Sequence, residues 1–294
     1  MSAYQLSNSF LSLECSSLGA ELCRVRGADG TEYLWNADAR FWKRHSPVLF
    51  PVVGNYNHKR LQYNGRQWPM GQHGFARDME FTLCQKTPDS LSFLLNSNEE
   101  TRKLYPMDFS LTITYTLIEN QIQVTWNVEN PGKEPLHFSI GAHPAFYCPL
   151  AQQGKQTDYA IDFHTDASRV ICGVLTGEGV LSEETVSYPL KDGKLALTEH
   201  LFDRDALIVE GGQTHKLSLC LPNQKPYVTV DFKAPLFGIW SPAGKQAPFV
   251  CLEPWYGRSD RADFCGDVSK RDYGTTLSPS EAFEASYCMT FFPV

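Results

Sequence analysis

From Phe109 to Leu117 apolar and polar positions alternate without a break, so Phe109, Leu111, Ile113, Tyr115 and Leu117 fall on one face of an extended chain. That pattern predicts a half-buried strand. After Glu119-Asn120-Gln121 the alternation resumes at Ile122, Val124, Trp126 and Val128 and stops at Asn130-Pro131-Gly132, which predicts an antiparallel hairpin. Shorter alternations at 136–140, 227–232 and 282–290 predict further strands. Turn signals separate them, among them Ala28-Asp29-Gly30, Asn64-Gly65, Lys191-Asp192-Gly193 and Gly211-Gly212. No stretch of about 12 residues or more sustains apolar positions at helical spacing between caps. The expected fold class is therefore all-β. No linker, repeat or low-complexity tract interrupts the chain, so one domain over residues 1–294 is expected. The irregular stretches 41–75 and 254–277, rich in Gly, Pro and aromatics, are expected to form long loops that shape a cleft.

Composition narrows the function classes. The 294 residues are 42% hydrophobic and 20% charged, enough to fill a large core without disulfides or metals. The net charge of −7 and a pI near 5.6 argue against nucleic acid or an anionic membrane as the main partner. No apolar run approaches the roughly 18 residues of a membrane span. No basic residue precedes Arg24, so a secretory signal is not expected. The nine cysteines are scattered singly without a Cys-x-x-Cys pair. They read as reduced, mostly buried thiols in a cytoplasmic protein.

Three segments gather titratable groups with aromatics. In Gln72-His73-Gly74-Phe75-Ala76-Arg77-Asp78, Gly74 leaves room for a ligand beside His73, and Phe75 offers a flat apolar surface. A histidine that merely caps a loop fits equally well. In Leu136-His137-Phe138-Ser139-Ile140-Gly141-Ala142-His143-Pro144, a regular strand would put His137, Ser139, Gly141 and His143 on one polar face. Its alternative is a hydrogen-bonded strand-end histidine. In Phe249-Val250-Cys251-Leu252-Glu253-Pro254-Trp255-Tyr256-Gly257-Arg258, a largely apolar strand ends in a carboxylate. Desolvation there raises the Glu253 pKa toward the range of a general base, and Trp255 and Tyr256 offer faces on which a sugar can stack. Its alternative is a rim Glu paired with Arg258. Dinucleotide, phosphate-loop and serine-hydrolase motifs are absent. A metal site from His73, His143 and Glu253 is the weaker use of the same groups.

Phe50-Pro51-Val52-Val53-Gly54, Gln72-His73-Gly74-Phe75-Ala76-Arg77-Asp78, Gly141-Ala142-His143-Pro144-Ala145-Phe146 and Glu253-Pro254-Trp255, in that order, resemble the aldose 1-epimerase (galactose mutarotase) family. Within that family the chain resembles the LacX-like branch. The resemblance runs from Gly19-Ala20-Glu21-Leu22 to Phe283-Glu284-Ala285-Ser286-Tyr287. It implies a large antiparallel β-sandwich and an enzyme that interconverts α and β anomers of a hexose or hexose phosphate. It also implies Glu253 as general base, His143 as general acid and His73 as a group that orients the sugar, with no cofactor and no metal. Ring opening needs a proton taken from the anomeric hydroxyl and one given to the ring oxygen. A carboxylate with a reference pKa of about 4.3 and an imidazole of about 6.5 suit those tasks.

One departure bears on the substrate. The family's segment after the first motif usually supplies an Arg to the sugar, but here Gly54 is followed by Asn55. Asn55 offers no fixed positive fork, and Arg77 is the candidate replacement. Asp205 rather than Asp231 is the expected further carboxylate. The competing readings are a sugar-binding or regulatory protein on the same fold, which Asn55 favours, and a glycosidase, which needs a second carboxylate about 5 to 10 Å from Glu253.

Overall fold

A computed structural model describes residues 2–294. Two large sheets dominate, and every ladder between their strands is antiparallel. In the nine-stranded sheet the order is 194–196, 160–162, 216–220, 226–232, 282–291, 121–129, 110–118, 90–96 and 82–86. The eight-stranded sheet runs 181–189, 169–175, 207–209, 236–240, 249–256, 140–142 and 48–49, with 145–147 also paired to 249–256. A three-stranded sheet of 3–7, 11–16 and 22–27 adds an N-terminal layer. Among the described residues Glu99–Leu104 is the one α-helix, and no helix is long and apolar enough to cross a membrane.

The period-two reading explains the centre of the larger sheet. Strands Ser110–Ile118 and Gln121–Glu129 pair with Leu111 opposite Val128, Ile113 opposite Trp126 and Tyr115 opposite Val124, so apolar side chains meet on one buried face. Trp126 carries that face to the other sheet: its ring lies 6.4 Å from Tyr256 of the eight-stranded sheet, with Tyr287 of its own sheet beside it at 5.3 Å. This interface is the main core, which draws on residues from Leu6 to Phe291. The result is a large antiparallel β-sandwich.

Strand Phe249–Tyr256 positions the chemistry. Val250 and Leu252 point into the main core, whereas Phe249, Cys251 and Trp255 join two smaller apolar clusters on the opposite face. Glu253 shares that second face by its spacing from Cys251 and Trp255. Trp255 fits there because both flanking strands place a glycine against it. A Cβ at Gly141 would sit 2.7 Å from the indole, and one at Gly238 would sit 2.3 Å away.

The expectation for 136–146 needs correction. The chain does not run as one strand, because Leu136–Phe138 pairs with Thr275–Leu277 while Ile140–Ala142 pairs with Phe249–Tyr256 and Val48–Leu49. Ser139 is the break. Its N–H donates to the Pro51 carbonyl, and its hydroxyl accepts from Val53 N–H at 2.9 Å. His137 therefore bonds Thr276, apart from His143.

Candidate active site

The second face of Phe249–Tyr256 opens into a cavity of about 210 Å³, lined by Glu253, Trp255, His143, His73, Arg77 and Asp205 together with Trp42, Gln72, Trp240 and Ser259. Glu253 stands on the central strand. His143 follows Ile140–Ala142 and precedes Pro144, and its Nε2 lies 3.4 Å from Glu253 Oε1. The His73 ring crosses that of His143 at 88° with 5.7 Å between centroids.

The 72–78 segment is fixed by its backbone. His73 N–H donates to the Gly54 carbonyl at 2.7 Å, and Gly54 N–H donates to His73 Nδ1 at 3.0 Å. Accepting that bond makes Nδ1 the unprotonated nitrogen, so a neutral His73 carries its proton on Nε2. Phe75 N–H and Ala76 N–H both donate to the Phe50 carbonyl. Gly74 has φ +71, and a Cβ there would stand 2.2 Å from that carbonyl, so close backbone packing rather than ligand access requires the glycine. The same turn sends Phe75 inward. Its ring packs 6.2 Å from Tyr105 and 6.1 Å from Phe109 in the main core, so it does not face the cavity.

Burial governs the electrostatics. Glu253 is 1% exposed, and burial pushes its carboxyl well above the usual range. The nearby Trp255 indole opposes that push, while Asp205 adds to it. His143 is pushed down to about 3, first by burial and then by Arg77 and Arg44. Burial, followed by His143 and the two arginines, likewise drives His73 well below its ordinary value. The His143–Glu253 pair therefore holds its proton on the carboxyl and keeps the imidazole neutral. Among the described residues neither Glu253 oxygen, nor His143 Nδ1, nor the Trp255 N–H has a hydrogen-bond partner of regular geometry. Ring packing orients His143 instead, with Trp42 stacked on it and Trp240 against its edge.

Arg77 donates to the Gln72 carbonyl at 2.6 Å and stands 3.9 Å from Asp78. Burial and Arg44 lower its pKa to about 10. Arg44 itself bonds Asp78, so two guanidinium groups share one carboxylate at this end of the cavity.

Other expected residues lie elsewhere. Asn55 is buried, donates to the Gly179 carbonyl at 3.2 Å and borders an adjacent depression with Lys59 and Arg204. Arg258 does not pair with Glu253, because it is held between Glu210 and Asp272. Asp231 forms an ion pair with Lys216, whereas Asp205 lines the cavity. Trp42, Arg44 and Trp240 were not singled out from the sequence. Trp42 and Arg44 do fall in the aromatic, irregular stretch 41–75. For a metal, His143, Cys251 and Glu253 present donor atoms within 4.8 Å of one another, with Cys251 where His73 was expected. A second such group is Glu21, Cys23 and His45.

The aldose 1-epimerase sequence profile matches residues 2–287. The chain belongs to the aldose 1-epimerase family. Among its relatives, the plasmid-borne protein LacX of Lactococcus lactis is 31% identical, over 97% of this chain and 98% of its own length. A galactose mutarotase related enzyme from Lactobacillus acidophilus is 35% identical and superposes with a TM-score of 0.93 over 99% of this chain and 98% of its own. A galactose mutarotase-like protein from Lactobacillus casei is 30% identical with a TM-score of 0.92, covering 99% and 100%. In this aldose 1-epimerase family member Glu253, His143 and His73 thus meet in one cavity, although 180 residues separate the first from the last.

Proposed function

We propose that this chain interconverts the α and β anomers of a hexose, using Glu253 and His143 as a proton-carrying pair. The observation that carries the reading is the buried pair itself, 3.4 Å apart, facing a sugar-sized cavity with both carboxylate oxygens free of hydrogen bonds. One proton suffices for the cycle. In ring opening, ionised Glu253 takes the anomeric hydroxyl proton and protonated His143 gives one to the ring oxygen, which leaves a neutral carboxyl and a neutral imidazole. Those are the protonation states that burial favours. The pair is therefore set for the open-chain sugar, whose aldehyde turns about C1–C2 before the transfers reverse. His73, with Nδ1 held by Gly54, presents its other nitrogen to a sugar hydroxyl.

The sugar is taken either free or as its phosphate, and Arg77, which lines the cavity, is the group that would hold a phosphate. The nine free cysteines, five of them buried, fit a cytoplasmic protein. Polarimetry or NMR of freshly dissolved α-glucose, α-galactose and their 6-phosphates tests the reading. Acceleration of anomerisation for at least one sugar supports it. Binding without acceleration for all of them would turn the assignment to a sugar-binding protein.

A further inference from the structure

Cys251 has no part in the proton transfers, yet it sits beside the groups that perform them. Its spacing from Glu253 along an extended strand puts both side chains on one face, and His143 faces them from the turn that leads into Ala145, the residue paired with Cys251. One nitrogen, one sulfur and one oxygen donor thus lie within 4.8 Å of one another, all three residues buried. The His143 Nε2 to Glu253 Oε1 separation is 3.4 Å, long for a hydrogen bond. It matches the edge of a tetrahedron, roughly 3.4 Å, around an ion with ligands at about 2.0 to 2.1 Å. Both Glu253 oxygens lack partners, which is uncommon for a carboxyl 1% exposed.

We propose that His143, Cys251 and Glu253 bind a thiophilic divalent cation, zinc being the probe, and that the bound ion excludes sugar from the cavity. The charge balances, because carboxylate, thiolate and imidazole around Zn²⁺ sum to zero. Binding releases two protons, one from the Cys251 thiol and one from the His143–Glu253 pair, with no change of oxidation state. Three protein donors leave a fourth position open, and two of the three, His143 and Glu253, line the cavity. The ion occupies the base and the acid at once, so it competes with sugar and stops turnover. That last effect rests on the anomerisation reading. The binding itself does not.

The test uses the metal-free full chain with Co²⁺ as spectroscopic stand-in and Zn²⁺ in calorimetry. A thiolate-to-cobalt charge-transfer band is expected, together with release of about two protons per zinc, read from two buffers of different ionisation enthalpy. Cys251→Ser removes the band and weakens zinc binding tenfold or more. Sugar at saturating concentration weakens zinc binding to the wild type. Where metal-free wild type accelerates anomerisation, zinc inhibits it, and the inhibitory concentration rises at least tenfold in Cys251→Ser relative to that variant's own metal-free rate. A band that survives Cys251→Ser but vanishes in Cys23→Ser places the ion at Glu21, Cys23 and His45 and overturns the proposal. Absence of any band in the wild type, or zinc binding that sugar leaves unchanged, overturns it too. Zinc binding that is lost in Cys251→Ser and weakened by sugar, in a protein with no anomerisation activity, would sink the catalytic reading and leave this one standing.

Discussion

The Trp42 indole lies 4.7 Å from the His143 imidazole with the two ring planes 29° apart. Trp240 meets the same imidazole edge-on at 5.5 Å, and the Trp42 carbonyl is fixed by the Trp35 indole N–H. Most buried histidines take their orientation from a hydrogen bond at the second nitrogen. Here packed rings do that work. When His143 takes up a proton, the stacked indole also stabilises the cation, by about 0.5 to 2 kcal/mol.

Trp42→Leu is therefore expected to lower kcat about tenfold or more, since small misplacements of a catalytic group are costly. Trp42→Phe, which keeps a stacked ring, retains most of the rate. NMR reports the stack independently, as an upfield ring-current shift of the His143 protons that Trp42→Leu abolishes. Loss of that shift with kcat unchanged would show that the stack plays no part in turnover.

Glu253→Gln is expected to cut anomerisation by about 10² to 10⁴, because the amide keeps the shape but accepts no proton. Its stability should move the other way. In the unfolded chain the carboxyl ionises near 4.5, whereas burial keeps it protonated well above that in the folded chain. The native state thus binds more protons across that window, so stability is present below pH 4.5 and is lost as pH rises through the folded pKa. Removing the carboxyl removes the loss. The melting temperature of Glu253→Gln minus that of wild type should grow between about pH 5 and pH 8, and a difference that shrinks with pH would contradict the raised pKa.

The pH profile of kcat/KM should show no histidine-like step near 6.5. His143 gains a second proton for the pair only near its lowered value of about 3, and the pair loses its single proton only above the raised pKa of Glu253. Between those limits the protonation state is constant and the profile is flat. His143→Asn should lower kcat far more than it weakens sugar binding, since delivery of a proton to the ring oxygen matters chiefly in the transition state. A variant that loses affinity in calorimetry but turns over bound sugar normally would rule out the acid role.

If Arg77 holds a phosphate, a hexose 6-phosphate is turned over with higher kcat/KM than the free hexose, because charge-assisted bonds are roughly twice as strong as neutral ones. Salt weakens that preference as the Debye length falls from about 10 Å at 0.1 M to about 3 Å at 1 M. Turnover of the neutral sugar hardly responds. Arg77→Ala should abolish the preference and spare most of the activity on free hexose. Equal kcat/KM for both sugars, unaltered by Arg77→Ala, leaves a plain hexose as substrate.

Alternation along 110–118 and 121–129 was enough to locate both strands, their shared turn and the face they bury, because side-chain direction in an extended chain follows from covalent geometry alone. The order of four short motifs was enough to suggest the family. Local pattern also put Glu253 on an apolar strand, but it ended that strand at the carboxylate, whereas the strand runs on to Tyr256 because Trp255 is received by Gly141 and Gly238 of its two neighbours. What surrounds a side chain depends on contacts between segments far apart in the sequence. Ser139 splits an alternating segment because the residues on either side pair with different sheets. Phe75 turns into the core because two N–H groups beside it share the Phe50 carbonyl. Arg258 is drawn from Glu253 by Glu210 and Asp272. Trp42 reaches His143 across 101 residues, and Arg77 and Asp205 come to the pair from equally distant segments, so the protons the cavity holds follow from the closed fold. Burial and the geometry of neighbours set a pKa, and both are properties of the closed tertiary structure, not of the residue type.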